Sequence, residues 1–169
     1  MNATVLERRH LWLLLFDAAL WAGWATLVGY VAHRLPVERL SRDGWLFRLR
    51  RTPEHTARTY QRVLRIKRWK PWLPEAGDFF AGGFSKRRLA HRDGAYLERF
   101  VVETRRAELT HWGILLIAPV FLFWSPGWLV LLMVGVAVVA NVPCLLTQRY
   151  NRARLLRALR RLAVGSARA

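Results

Sequence analysis

The chain has 169 residues, a hydrophobic share of 53% that includes nine Trp, and a formal net charge of +17. It is one domain's length, and its charged and apolar residues fall in separate stretches; this argues for a membrane protein with a basic face and against a uniformly basic nucleic-acid binder. The single cysteine, Cys144, excludes an internal disulfide, and no Cys/His spacing resembles a zinc site.

In chain order, Leu11 to Val31 is apolar over about the length that crosses a bilayer, with Arg8, Arg9 and His10 before it and His33 and Arg34 after it. The pattern predicts a transmembrane helix over 11–32. A cleaved signal peptide fits less well, because the charges ahead of the apolar run are mixed, the run is long and no small-x-small motif follows. Asp17 lies near one end of the run, either at the headgroups or in contact with other helices of a bundle.

Residues 34–111 carry 19 Lys/Arg against 9 Asp/Glu and are too polar to cross a membrane. Thr52-Pro53-Glu54 reads as an N-cap, a proline at the first helical position and an acidic first turn, which predicts a helix to about Trp69, ended by Pro71 and Pro74. The Pro- and Gly-rich stretch that follows, to Leu89, reads as loop, and its Trp and Phe residues suit a membrane interface. Two cationic clusters, Lys67/Arg68/Lys70 and Lys86/Arg87/Arg88, offer either a seat for the phosphates of coenzyme A or an acidic acyl carrier, or adhesion to anionic lipid. Gly82-Gly83 followed by Lys86 is not a Walker A loop.

A second apolar stretch, 112–146, is interrupted by Ser125-Pro126-Gly127, which predicts a transmembrane hairpin with arms Leu109–Trp124 and Trp128–Leu146 and local kinks at Pro119 and Pro143. Asn141 is polar inside the second arm and needs a hydrogen-bond partner, either on a neighbouring helix or among the carbonyls freed by Pro143. The tail from 148 to 169 has seven Arg and no acidic residue, with Tyr150, Leu155, Leu156, Leu159 and Leu162 at helical spacing; this predicts a basic amphipathic helix on the membrane surface. The expected architecture is an all-α membrane protein comprising a first transmembrane helix, a basic cytoplasmic segment 34–108, a hairpin 109–147 and a juxtamembrane helix 148–169. Excess positive charge in 34–111 and in the tail places both in the cytoplasm.

The junction between the basic segment and the hairpin reads Glu103-Thr-Arg-Arg-Ala-Glu-Leu-Thr-His111-Trp112. At about 100° per residue, Leu97, Phe100, Val101, Thr104, Glu108, His111 and Leu115 share one stripe, with Arg106 turned away from it and Glu103 and Arg105 at its flanks. An ionisable pair on a face that seeks burial is either a self-satisfied structural pair or a general base oriented by a carboxylate. The hairpin brings Gln148, Arg149 and Asn151 to the same depth as Glu108 and His111.

The blocks Ile66-Lys-Arg-Trp-Lys70 with Leu73-Pro74, Gly83-Phe-Ser-Lys-Arg-Arg-Leu89, Glu103 to Trp112, and Asn141-Val-Pro-Cys144 with Gln148-Arg-Tyr-Asn-Arg152 together cover most of residues 60–155. In order and combination they resemble the glycosyl-4,4'-diaponeurosporenoate acyltransferase family, membrane enzymes that attach a fatty acyl chain to the sugar of a carotenoid glycoside. The resemblance implies an acyltransferase with no permanently bound cofactor, acyl-CoA or acyl carrier protein as donor, a lipid-linked glycoside as acceptor, and a place in the cell membrane among its lipids.

Chemistry then assigns roles to the residues. His111 is the expected base, Glu108 its orienting carboxylate, and Glu103 and Arg149 complete the catalytic group. Trp69, Arg105, Asn141, Gln148, Tyr150, Asn151 and Arg152 are expected around the substrates, and Lys67, Lys70, Lys86, Arg87 and Arg88 on the donor phosphates. Cys144 as an acyl-carrying nucleophile is the weaker assignment, since it lies in an apolar helix with no base beside it. A non-catalytic membrane adaptor with basic lipid-binding surfaces and a small membrane methyltransferase or reductase are the competing classes; nucleic-acid binding lacks any motif.

Overall fold

The computed structural model describes residues 3–42, 44–73 and 93–167, and these are helical or connecting. The elements are α1 (Ala3–Arg34), α2 (Val37–Ser41), α3 (Pro53–Arg62), α4 (Ile66–Trp69) with a 3₁₀ turn at Lys70–Trp72, α5 (Gly94–Leu115), a 3₁₀ segment at Ala118–Phe123, and α6 (Gly127–Ser166). Three helical stretches are long and apolar enough to cross a membrane: Arg8–Arg34, Gly94–Phe123 and Gly127–Ser166.

The principal interface is between α5 and α6, joined by the Ser125-Pro126 turn; α1 lies along α5, and α3 lies along the far half of α6. Much of the apolar surface of α1 is exposed. Asp17, Trp21, Trp24, Val28 and Ala32, at helical spacing, form a protein-facing stripe that Leu13 and Leu14 continue. Asp17 is buried at the tip of the hairpin, where its carboxylate accepts from Trp124 Nε1 and Ser125 Oγ, both at 2.7 Å. Of the two roles open to it, the contact inside the bundle is the one observed. Halfway along, Trp24 Nε1 donates to the Gly113 carbonyl at 2.9 Å.

The α-helix of the first hairpin arm stops at Leu115, because Pro119 has no N–H for the Leu115 carbonyl and its ring crowds that position. The chain continues as a 3₁₀ segment to Phe123, so Pro119 replaces the expected kink by a change of helix type. Phe121 and Ile117 then pack with Leu129, Val130 and Met133 against Leu13, Leu14, Trp21 and Trp24 of α1.

Two expected elements differ in extent. The helix from Pro53 begins as predicted, with Thr52 Oγ1 accepting from His55 N at 3.3 Å, but it ends at Arg62. Arg65 sits in the left-handed region at φ 47°, which turns the chain so that Ile66 is fully buried with Ala57, Tyr150 and Ala153. The tail is the continuous end of α6, without a break at Gln148. Its apolar residues are consumed by protein: Tyr150 and Ala153 face α3 and α4, and Leu155, Leu156 and Leu159 pack on Leu97, Phe100 and Val101 of α5. Only Leu162 of the expected lipid-facing set is exposed.

Gly113 is a point of close approach between α1 and α5. A Cβ there would lie 2.6 Å from Val28 Cγ1, and a β-branched side chain in a helix has little rotamer freedom with which to retreat. Gly113→Ala is therefore expected to cost about 1–3 kcal/mol of stability in detergent. Adding Val28→Ala should recover most of that loss, as read by thermal unfolding of the two variants side by side.

Candidate functional site

Glu108, on the buried stripe of α5, has no exposed surface. Its two oxygens are divided between two arginines of α6: Arg149 Nε donates to Oε1 and Arg152 Nη1 donates to Oε2, each at 2.6 Å. Those arginines reach further, Arg152 Nη2 to the Phe47 carbonyl at 2.9 Å and Arg149 Nη2 toward that of Leu46 at 3.4 Å. The connection between α2 and α3 is thus fastened to the α5–α6 pair. Tyr60 of α3 adjoins the same charges; burial raises the pKa of its phenol above the ordinary value, with Arg149 and Arg152 opposing and Glu108 reinforcing that shift.

Two neighbouring arginines of α5 make similar contacts. Arg105, buried, donates through Nη1 to the carbonyls of Leu40 at 2.8 Å and Ser41 at 2.6 Å, closing the end of α2. Arg106 does not turn to solvent as the helical projection expects. Its Nη1 donates to the carbonyls of Ala32, His33 and Leu35, capping the C-terminus of α1, and its Nε pairs with Glu103 at 3.2 Å. Glu103, expected in the catalytic group, thus pairs with the arginine that caps α1, and Arg105, expected at the substrates, closes the end of α2.

His111 lies one turn beyond Glu108, half-buried, and faces Asn141 of α6 with Nδ1 and Oδ1 2.9 Å apart. The expected orienting carboxylate is therefore replaced at Nδ1 by an amide. Asn141, itself buried, donates from Nδ2 to the Ala137 carbonyl at 2.9 Å, which turns Oδ1 toward the imidazole. An oxygen acceptor there requires hydrogen on Nδ1 and so selects the tautomer whose basic nitrogen is Nε2. This network assigns both the amide orientation and the tautomer.

Register explains the exchange of partners. Asn141 precedes Arg149 by eight residues, about 12 Å along α6. His111 is thus deeper in the apolar half of the hairpin than Gln148, Arg149 and Asn151, which are level with Glu108. On α6, Asn141, Cys144, Gln148 and Arg152 share one face, so Gln148 falls between the imidazole–amide pair and the carboxylate–arginine cluster. Its Oε1, and Oγ1 of the adjacent Thr147, are buried without a hydrogen bond to another described residue.

Several of the remaining predicted residues gather around Tyr150 and Asn151 of α6. Lys70 Nζ donates to Asn151 Oδ1 at 2.7 Å and stands 5.7 Å from the centre of the Tyr150 ring. Tyr150 is a core residue whose hydroxyl accepts from Gln61 at 2.8 Å, and Trp69 packs beside it with Nε1 on the Leu64 carbonyl. Lys67 is exposed. Lys86, Arg87 and Arg88 lie outside the described residues. Cys144 is buried, its thiol 3.5 Å from the Ala140 carbonyl. Tyr60, Gln61 and the carbonyls of residues 46 and 47 are parts of the cluster that the sequence reading missed, because they arrive through tertiary packing and belong to no motif.

A family profile described as glycosyl-4,4'-diaponeurosporenoate acyltransferase matches residues 43–161, which include all the described site residues. A protein of that name from Staphylococcus haemolyticus (strain JCSC1435) is 38% identical over 97 residues, covering 57% of this chain and 56% of its own length. Those of Staphylococcus aureus strains N315 and USA300 are 34% and 33% identical over 96 residues, covering 56% of this chain and 57% of theirs. The matched region thus spans little more than half the length of these relatives. No solved structure matches the chain. With the profile extending from the α2–α3 connection almost to the end of α6, the chain belongs to the glycosyl-4,4'-diaponeurosporenoate acyltransferase family.

Proposed function

We propose that this protein is an integral-membrane O-acyltransferase that moves a fatty acyl group from a thioester donor, acyl-CoA or an acyl carrier protein, to a sugar hydroxyl of a carotenoid glycoside or related glycolipid. The observation that carries the reading is the His111–Asn141 pair, an imidazole within hydrogen-bond distance of a buried amide at the contact of two helices long enough to span a bilayer. Family membership supplies the reaction class; this pair supplies a base for it.

His111 Nε2 takes the proton of the acceptor hydroxyl as its oxygen attacks the thioester carbonyl. The tetrahedral intermediate collapses with cleavage of the C–S bond, the imidazolium returns the proton to the departing thiolate, and the products are the sugar ester and free thiol. Asn141 is the positioning residue that keeps Nδ1 protonated. Gln148 and Arg149, on the α6 turns facing outward from His111, are in register to meet the sugar and the developing oxyanion. Lys67, Lys70 and Asn151, with Lys86, Arg87 and Arg88, take the anionic head of the donor. Both lipid chains enter laterally between helices, and the excess positive charge of 34–111 and the tail supports a cytoplasmic position for the polar end of the site.

Three substitutions separate chemistry from architecture. His111→Gln is expected to lower acyl transfer about 10²–10⁴-fold without changing the melting temperature, and cells carrying it should accumulate the unacylated glycoside when their lipids and pigments are profiled by mass spectrometry. Asn141→Leu should slow the same step about 10–100-fold while the protein remains folded. Glu108→Gln leaves two guanidinium groups without their buried counter-charge and is expected to cost about 3–5 kcal/mol of stability, read by unfolding in detergent. Full activity in His111→Gln contradicts the mechanism and favours a non-catalytic membrane role.

A further inference from the structure

The acyltransferase reading leaves the outer end of α6 without a task. The 22 residues from Gly127 to Gln148 extend about 33 Å, close to the thickness of a bilayer's hydrocarbon core. The remaining 18, Arg149–Ser166, continue for about 27 Å. They carry six Arg and no acidic residue. Arg149 and Arg152 are engaged by Glu108, but Arg157, Arg160 and Arg161 line an open groove with Glu54 and Val164. Among the described residues, the ion pair in that groove, Arg160 to Glu54 at 3.7 Å, is long and solvent-exposed and leaves a net positive surface.

Lipid headgroups are reached from this surface only through extended arginine side chains. They add about 5–8 Å to each side of the core, whereas Arg157 lies about 13 Å beyond Gln148, or about 10 Å if the helix tilts by 40°. Packing on α3 and on the first turns of α5 anchors the projecting end to the rest of the protein. Exposed Leu162 and Val164 stand among the arginines, and α3 alongside exposes Arg58 and Arg62. Cations interspersed with apolar side chains, on a helix end that extends past the length of a bilayer core, suit an acidic protein surface.

We propose that the projecting end of α6, centred on Arg157, Arg160 and Arg161, docks an acidic protein carrier that delivers the acyl thioester. This rests on the acyltransferase reading and commits it to one class of donor. Arg157 is eight residues from Arg149, about 12 Å along the helix, so a flexible prosthetic arm can pass from the docked carrier toward the site.

The test uses the full chain in uncharged detergent micelles with a bacterial acyl carrier protein bearing a palmitoyl thioester, binding being read by fluorescence anisotropy at two salt concentrations. Wild type should bind, more weakly as salt rises. Arg157→Glu with Arg161→Glu should weaken binding at least tenfold and raise KM for the carrier-borne donor, leaving kcat and the melting temperature unchanged. Equal carrier binding by the double variant overturns the proposal, as does loss confined to phosphatidylglycerol vesicles or to palmitoyl-CoA. Because binding is read without turnover, carrier binding with no acyl transfer to any glycoside would refute the reaction and keep the docking site. Transfer from palmitoyl-CoA with no carrier binding would do the reverse.

Discussion

One carboxylate holds the arrangement together. Glu108 has no contact with solvent, and its oxygens are shared between guanidinium groups of the opposing helix. Desolvating such a cluster costs much of what its attraction returns, so its value lies less in net stability than in the penalty for any register that separates the charges. Sliding α6 along α5 by one turn would strand the buried Glu108 carboxylate and the buried Arg152 guanidinium together. The lock therefore fixes which residues of the hairpin face one another, and His111 opposite Asn141 is a consequence.

The same chemistry organises the segment outside the apolar helices. Arginines 105, 106, 149 and 152 all spend part of their donor capacity on main-chain carbonyls, at the ends of α1 and α2 and at residues 46 and 47. Helix ends and short connections carry carbonyls with no intrahelical partner, and a planar guanidinium with several donors can serve two or three at once. Much of the high Arg content at this boundary is thus committed to the fold. An amide beside the imidazole is consistent with that economy. Asn141 orients the ring without placing a further buried charge in the apolar half of the bundle, where each one demands a partner. A carboxylate at that position would stabilise the imidazolium more strongly, at the cost of desolvating an anion beside a ring that is neutral for part of the cycle.

The long apolar runs, the Ser125-Pro126-Gly127 turn, the Thr52-Pro53 helix start and the buried stripe from Leu97 to Glu108 were legible because each depends on local composition or periodicity. Partner choice was not. Glu108 and His111 are three residues apart on one stripe and invite pairing, yet Glu108 meets arginines eight and eleven positions past Asn141, a matter of inter-helix register that no single helix encodes. Arg106 projects away from the stripe in isolation and is recovered by α1, whose carbonyl terminus arrives from far away in sequence. The tail was misread for a related reason. Its apolar spacing is that of an amphipathic helix in either setting, and only the presence of α3 and α5 decides that protein, not lipid, covers Tyr150, Ala153 and Leu155.

The central claim is that an amide on α6 fixes the tautomer of one histidine so that Nε2 is the basic nitrogen. Nitrogen-15 NMR of histidine-labelled protein in micelles, with His111 assigned by its loss in His111→Gln, reads this directly. The account predicts a neutral His111 ring protonated at Nδ1, reverting to a mixture of tautomers in Asn141→Leu. A ring protonated at Nε2 in the wild type, or one indifferent to Asn141, would contradict it.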